Sequence, residues 1–305
     1  MSRLIDFHSH FFSRVFFETL AGQSPMPGTP EERLQRAAQR AKLELPPREP
    51  EKHLERWLGE LATYGVSHLV TFASVPEEAA TVLAAAQGAK GRLTPFALVN
   101  PRAPEAPARA RELFERGFKG LLLFPAMHRF DPNGPEAREI LKVVNQHAGI
   151  AVVHCGVLQV KLRDLLDLPR GYDVAAANPL HLIPAADAFP AARFVIPHFG
   201  GGFLRETLMA GSMCANILVD TSSSNGWMAT QPARTSLVDV FERTLAVFGA
   251  ERVLFGTDSS VFPRGWRHDL YTAQREALGA IGAGAEDRAR IFGENAARLL
   301  SLPAT

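Results

Sequence analysis

The sequence has little cysteine and no apolar run long enough for a membrane span. It contains 2 cysteines, Cys155 and Cys214, and neither belongs to a C-x-x-C pair. A disulfide framework is therefore not expected, and a reducing cytoplasm is the expected location. No apolar stretch approaches the roughly 20 residues that a membrane span needs. Asp6 and His8 also stand where a secretory signal would be apolar.

The sequence also lacks an excess of charge of either sign. Lys and Arg total 33 and Asp and Glu total 32, so the formal net charge is +1. Binding to nucleic acids or to anionic membranes usually needs clustered positive charge, and neither is expected here. The 46% of hydrophobic and 21% of charged residues are typical of a globular protein. We expect one domain, residues 1–305, that acts on a small-molecule substrate.

Short apolar segments rich in β-branched residues alternate with amphipathic stretches of helical length. Each apolar segment is nearly continuous, which is typical of strands buried on both faces of a parallel sheet. The predicted strands are 4–8, 66–73, 93–100, 120–125, 150–154, 194–198, 217–221 and 253–258. The predicted helices include 31–43, 51–64, 76–86, 104–116, 135–147, 235–248 and 269–281.

This alternation predicts parallel strands joined by right-handed crossovers, and its length favours a single (β/α)8 TIM barrel in the α/β class. The alternative is a doubly wound open sheet, which is weakened because no G-x-G-x-x-G turn follows the first strand. Two connections are long, 12–50 after strand one and 157–190 after strand five. Such loops act as lids or binding loops, or they are only surface elaborations.

Histidines occur at the ends of several predicted strands. His8 and His10 form an H-x-H pair at the end of strand one, and residues two apart on a strand point to the same side. His154, His198 and Asp258 end strands five, six and eight. Because the carboxyl ends of barrel strands converge on one rim, we expect these side chains to meet. Imidazoles and a carboxylate suit a divalent metal, with Zn²⁺ expected and Mn²⁺ as the alternative.

Aromatic and basic residues near this rim are candidate substrate contacts. Trp227 follows strand seven, and Arg264 and Trp266 follow strand eight. A substrate that carries a carboxylate would need an arginine, and Arg14 and Arg267 are candidates together with Arg264. The alternative for each arginine is a solvated position on the surface.

Four motifs, taken in order, resemble the amidohydrolase superfamily, in the amidohydrolase-related branch that includes aminocarboxymuconate-semialdehyde decarboxylase. They are Asp6-Phe7-His8-Ser9-His10, Pro197-His198-Phe199-Gly200-Gly201, Phe255-Gly256-Thr257-Asp258 and the C-terminal segment 291–300.

The resemblance implies that His8, His10, His154 and Asp258 hold one divalent metal, usually zinc, and that His198 faces the substrate and acts in catalysis. Binuclear members carry a carbamylated lysine at the end of strand four, whereas Lys119 stands at the start of that strand here. A mononuclear site is therefore implied. Related enzymes are often dimers, so a homodimer is also implied.

The function expected is metal-dependent hydrolysis of a small cyclic or aromatic amide, ester or lactone. A metal-activated water, with its pKa lowered from about 16 toward about 7, would attack the substrate. Asp258 would accept the proton of that water, and His198 would donate to the carbonyl oxygen. The alternative is non-oxidative decarboxylation of a small aromatic or unsaturated acid by the same residues. A third candidate is a non-catalytic barrel that binds a ligand.

Overall fold

The computed structural model describes residues 3–223 and 225–303. Within them, eight parallel strands pair in sequence order. The strands are β1 (Ile5–His10), β2 (His68–Ala73), β3 (Leu93–Leu98), β4 (Gly120–Leu123), β5 (Ile150–Val153), β6 (Arg193–Ile196), β7 (Ile217–Asp220) and β8 (Val253–Leu254). The segment after β8 returns to β1, because the Phe7 N–H donates to the Phe255 carbonyl at 2.8 Å. The predicted (β/α)8 barrel is confirmed.

Helices follow the strands on the outside of the barrel, and the seven predicted helices are confirmed with small differences at their ends. None of the described helices is both long and apolar enough to cross a bilayer. The helices are α1 (Arg14–Gln23), α2 (Pro30–Ala41), α3 (Pro50–Thr63), α4 (Ala79–Gly88), α5 (Ala106–Glu115), α6 (Pro125–His128), α7 (Pro135–Gln146), α8 (Lys161–Leu165), α9 (Ile183–Ala188), α10 (Leu204–Met213), α11 (Leu237–Phe248), α12 (His268–Ala280), α13 (Ala285–Ala289) and α14 (Asn295–Leu299).

Among the described helices of ten or more residues, α1 and α10 are the two that the sequence pattern does not predict. Both begin without a side-chain hydrogen bond from the capping residue, but so do predicted helices such as α3 and α7, so the cap does not explain the difference. Among the predicted helices, α2 begins with a capping box formed by Thr29 and Glu32, with Pro30 in its first turn.

Several strands end earlier than predicted. The strands β5, β6 and β8 end one, two and four residues before His154, His198 and Asp258. His198 and Asp258 adopt φ values of 59° and 58°, in the left-handed region, which cannot continue a strand. The candidate site residues therefore lie at the start of the loops that leave the strands, where backbone direction changes.

The barrel interior is filled with apolar side chains below the rim. Phe7, Phe72 and Phe96 are fully buried, and Phe96 makes edge contacts with the other two at centroid distances of 5.8 and 5.6 Å. Gly120 on β4 leaves space for the Phe96 ring, which a Cβ atom would overlap. Cys155 is buried in the outer core, as predicted. Among the described residues the barrel interior is packed, so the space for a ligand inside the barrel lies near the carboxyl ends of its strands.

The two long connections pack against each other. The first contributes α1 and α2, and the second contributes α8. The Ser24 hydroxyl donates to the Leu166 carbonyl at 2.6 Å and joins the two connections. They share a small apolar core that includes Phe16, Phe17, Leu20, Leu34, Leu162 and Leu166.

Candidate metal centre and active site

His8, His10 and Asp258 meet at the carboxyl end of the barrel. The Asp258 Oδ1 atom lies 3.3 Å from His10 Nε2 and 4.0 Å from His8 Nε2. The Asp258 N–H donates to the His8 carbonyl at 2.8 Å, which ties the loop after β8 to β1. The candidate ligand atoms of these three residues lie within 4.8 Å of one another. This set is compact enough to hold one divalent metal ion.

His154 and His198 extend this set into a row of imidazoles. The His198 ring centroid is 4.8 Å from that of His8 and 5.1 Å from that of His154. A second compact group of ligand atoms consists of His8, His198 and Asp220. Neither group includes His154, so its role as a fourth ligand stays a prediction. Burial holds the pKa of His154 well below its usual value, which keeps the imidazole neutral, as a metal ligand must be.

The Nδ1 atoms of the two β1 histidines have protein partners. His8 Nδ1 lies 2.8 Å from Asp220 Oδ2, and His10 Nδ1 lies 2.7 Å from Ser74 Oγ. A proton on each Nδ1 atom leaves each Nε2 atom unprotonated on the side of Asp258. Metal-binding histidines are held in this way, with the outer nitrogen donating to a carboxylate or another acceptor. The residues present therefore fit a divalent metal.

At the candidate metal centre, each carboxylate lies next to an imidazole, and these neighbours shift the pKa values of both groups. Burial alone would lower the pKa of His8, but the Asp220 carboxylate outweighs it, and the pKa of His8 is raised. Burial alone would raise the pKa of Asp258, but the His10 imidazole at 3.3 Å and the nearby imidazoles of His198 and His8 outweigh it. The pKa of Asp258 therefore stays below its usual range, and the carboxylate is ionised.

Asp220, at the end of β7, is a site residue that the sequence-based predictions missed. Its fully buried Oδ1 atom accepts the N–H groups of His198 at 3.2 Å and of Ser222 at 3.0 Å. Its other oxygen binds His8. Asp220 thus holds two of the histidines in place. The strand-end rule that selects Asp258 also applies to Asp220 and could have identified it.

Ser222 sets the protonation pattern of His198. The single Ser222 hydroxyl proton is donated to the Asp220 carboxylate, so the same oxygen accepts from His198 Nδ1 at 2.8 Å. Burial lowers the pKa of His198, with a further contribution from His8, and favours the neutral imidazole. His198 Nε2 is then a proton acceptor. The role of His198 as a donor to a carbonyl oxygen stays a prediction, and with this hydrogen-bond pattern the ring would first have to take up a proton.

The loop after β6 has a strained backbone. Residues 198–202 all have positive φ values, including His198 at 59° and Phe199 at 53°. A Cβ atom at Gly201 would lie 2.6 Å from the Cys155 carbonyl oxygen, so glycine is needed where this loop contacts the segment after β5. Non-glycine residues in the left-handed region each cost about 1–2 kcal/mol, and such strain is concentrated at functional sites.

A cavity of about 1170 Å³ opens above the histidines. The Phe12 ring lies in its wall and stacks on His10 at a centroid distance of 4.8 Å. Four Lys and Arg side chains line the cavity against two acidic ones, although the whole chain is almost neutral. The basic residues are Lys42, Lys161, Arg163 and Arg264, and the acidic residues are Glu77 and Asp258. This imbalance favours an anionic ligand.

Of the predicted substrate contacts, Trp227 and Arg264 line the cavity and Trp266 does not. Trp266 is 2% exposed, and its indole N–H donates to Asp6 Oδ2 at 2.8 Å. The predicted contact between Trp266 and substrate does not hold, because the side chain is used inside the fold. Its partner Asp6 also accepts the His8 N–H at 3.0 Å, so Trp266 supports the strand that carries H-x-H.

The three candidate arginines differ in their partners. Arg14 pairs with Glu31 at 2.6 Å and with Glu18 at 3.0 Å, and Arg267 pairs with Asp269 at 2.6 Å. These two guanidinium groups are already neutralised by carboxylates. Arg264 donates to the Ser260 hydroxyl at 3.0 Å instead. Among the three, Arg264 is the arginine suited to bind a substrate carboxylate.

We predict that Trp266→Phe lowers the free energy of unfolding by about 1–3 kcal/mol, the usual effect of leaving a buried polar group without its partner. The partner lost is the Asp6 carboxylate, which is fully buried. Urea unfolding monitored by circular dichroism measures the change. Trp227→Phe is the matched control, since Trp227 Nε1 has no hydrogen-bond partner among the described residues. Equal losses in the two variants would contradict this role for Trp266.

The fold and the site together define a (β/α)8-barrel enzyme whose histidines and aspartate gather at the carboxyl ends of the strands. The model of the amidohydrolase family, Amidohydro_2, matches residues 5–302. The chain therefore belongs to the amidohydrolase family, as its motifs suggest. A search of curated proteins gives no match to this chain.

Solved structures share the fold over the full length at low sequence identity. The 5-carboxyvanillate decarboxylase of Sphingomonas paucimobilis matches with a TM-score of 0.68 and 13% identity, covering 99% of this chain and 100% of that chain. A dihydroxybenzoic acid decarboxylase of Polaromonas sp. JS666 with bound manganese and the inhibitor 2-nitroresorcinol gives 0.63 and 15%, covering 100% and 98%. A probable 2-pyrone-4,6-dicarboxylic acid hydrolase of Acinetobacter baumannii gives 0.61 and 16%, covering 99% and 100%.

Proposed function

We propose that this protein is a metal-dependent hydrolase of a small anionic ester, lactone or amide with a cyclic or aromatic framework. The observation that carries the proposal is a chain of two hydrogen bonds, in which His198 Nδ1 donates to the Ser222 hydroxyl and that hydroxyl donates to Asp220. It leaves a proton acceptor, His198 Nε2, beside the candidate metal ligands. Hydrolysis begins with removal of a proton from water, and a positioned base contributes typically about 10²–10⁴-fold to the rate.

His8, His10, His154 and Asp258 would hold the metal. Three imidazoles and one carboxylate favour Zn²⁺, and the manganese in the Polaromonas decarboxylase supports Mn²⁺ as the alternative. A bound divalent ion supplies Lewis-acid polarisation of oxygen atoms.

The chain's own residues would handle the protons. His198 Nε2 takes one proton from water, and the resulting imidazolium then delivers it to the leaving oxygen or nitrogen of the substrate. Ser222 keeps the ring oriented through both steps, because it bonds the other ring nitrogen at 2.8 Å. In this proposal His198 replaces Asp258 as the acceptor of the water proton, because the lowered pKa of Asp258 makes its carboxylate a weak base. Asp258 would instead orient the water molecule.

The alternative function is decarboxylation of a small aromatic or unsaturated acid. The observation that favours it is Arg264, an arginine in the cavity wall without the carboxylate partner that Arg14 and Arg267 have. Two of the three solved structures named above are decarboxylases. Arg264 would hold the carboxylate that leaves. This reaction also needs an acid that protonates the ring carbon, whereas the neutral His198 presents an acceptor to the cavity.

A substrate panel separates the two reactions. The full-length protein, loaded with Zn²⁺ or Mn²⁺, is incubated with carboxylated lactones and aryl esters and with hydroxybenzoates. We expect ring opening or ester cleavage without carbon dioxide. Carbon dioxide release from hydroxybenzoates without any hydrolysis would replace the first proposal by the second. If the protein binds one metal ion per chain but turns over none of these compounds, the result would favour a barrel that binds a ligand without catalysis.

Arg264 gives a prediction that applies to either reaction. Arg264→Gln is expected to raise KM for a carboxylated substrate about 10-fold, because hydrogen bonds to charged groups contribute about 1.5–3 kcal/mol. Steady-state kinetics on wild type and variant measure this change. Arg267→Gln is the matched control, since its guanidinium is paired with Asp269 at 2.6 Å. An unchanged KM in Arg264→Gln, or an equal rise in both variants, would contradict the role of Arg264.

A further inference from the structure

Glu78 is a fully buried acid that the proposed reaction does not use. It ends a short 3-10 turn, Pro76–Glu78, between β2 and α4. Its carboxylate accepts two backbone N–H groups, that of Ser13 at 2.5 Å and that of Ser74 at 2.9 Å. Burial raises the pKa of Glu78 to about 7, so ionisation is costly at this position. A buried acid held only by backbone groups needs a reason for being there.

The two N–H groups belong to the two chain segments that hold His10. Ser74 follows β2, and its hydroxyl is 2.7 Å from His10 Nδ1. Ser13 lies three residues after His10, in the turn that leads from β1 into α1. One carboxylate thus joins the exit of β1, the strand that carries His10, to the exit of β2, where the hydroxyl partner of His10 lies.

Helix capping accounts for only part of this arrangement. A glutamate in the first turn of a helix often accepts the N–H of a residue just before the turn, and the bond to Ser74 is of this kind. The bond to Ser13 is different, because it crosses to a segment 65 residues away along the chain.

We propose that Glu78 is a positioning residue for His10, which acts by fixing the Ser74 hydroxyl that accepts the His10 Nδ1 proton. This inference rests on the proposed role of His10 as a metal ligand. Ser74 can orient His10 only while its own backbone is held, and Glu78 Oε2 is the acceptor of that N–H. In Glu78→Gln, one of the two N–H groups would face an amide NH₂ group instead of an oxygen, so one bond is lost.

Cobalt titration of the metal-depleted, full-length protein tests this inference. Partners of metal ligands are worth about 10–100-fold in metal affinity, so Glu78→Gln should weaken Co²⁺ binding by about that factor and change the visible absorption bands of bound Co²⁺. Ser74→Ala should have a similar effect. Because Glu78 and Ser74 act on His10 through the same hydrogen bonds, the double variant should lose little more Co²⁺ affinity than either single variant.

Asn295→Ala is the control for a general loss of stability. Asn295 is buried, and its amide donates to the carbonyls of Ala250 and Val253 at the opposite end of β8. It should lower the melting temperature and leave Co²⁺ affinity and absorption unchanged. The role of Glu78 would be overturned if Glu78→Gln folds and binds Co²⁺ with wild-type affinity and absorption. It would also be overturned if the losses of Co²⁺ affinity in the two single variants add up fully in the double variant. If Glu78→Gln does not fold, Glu78→Asp is held to the same criteria. A wild-type protein that binds no Co²⁺ would overturn the metal site itself.

Discussion

Asp258→Asn is expected to lower the affinity for a divalent metal by more than about 100-fold, since partners of ligands alone are worth about 10–100-fold. Asp258 is the carboxylate in the compact set with His8 and His10, and the variant removes its negative charge. The activity should fall with the metal content. Elemental analysis after dialysis, together with titration of the metal-depleted protein, measures the effect.

Asp269→Asn is the matched control for this prediction. Asp269 lies in the same region after β8, but its side chain is exposed and pairs with Arg267. Its replacement should leave the metal content and the activity close to those of wild type. Full metal occupancy in Asp258→Asn would remove Asp258 from the ligand set, and the proposed chemistry of the site would need a different metal position.

His198→Asn is expected to lower turnover by about 10²–10⁴-fold, the range for loss of a positioned acid or base. The asparagine side chain is polar and of similar reach, but it cannot take up a proton at the position of Nε2. Metal affinity should remain within a few-fold of wild type, because His198 lies beside the proposed ligands without being one of them. The kinetics and the metal content must therefore be measured on the same samples.

A control variant, His147→Asn, shows whether the loss of turnover is specific to His198. His147→Asn replaces an exposed histidine at the end of α7 and should leave both quantities unchanged. Loss of metal in His198→Asn would identify His198 as a ligand instead of a base. Retained turnover would leave proton removal to another group and would overturn the mechanism proposed for hydrolysis.

The barrel was predictable because its signals are local. Each strand is a short, continuous apolar segment, and helices such as α2 carry their own start signals in Thr29 and Glu32. The meeting of the candidate ligands His8, His10 and Asp258 at the rim was predictable for a related reason. Once eight parallel strands close into a barrel, any residues at their carboxyl ends meet, however far apart they are in sequence. His10 and Asp258 meet in this way at 3.3 Å.

The partners of these residues were much harder to predict. Asp220 binds His8 from 212 positions away, and Trp266 binds Asp6 from 260 positions away. Both lie near strand ends, where the sequence pattern alone does not separate a side chain that lines the cavity from one that points into the fold. Trp227 and Trp266 have similar sequence contexts, yet only Trp227 reaches the cavity.

The amino-acid sequence alone determines the order of strands and helices and the residue types at the barrel rim, since periodicity and motif spacing are properties of neighbouring residues. Only the tertiary structure places the Ser222 hydroxyl at His198 Nδ1, leaves Arg264 without the carboxylate partner that Arg14 and Arg267 have, and turns Trp266 toward Asp6 on β1. Each of these depends on which hydrogen-bond or charge partner lies within about 3 Å in space, and chain folding, not sequence separation, sets that distance.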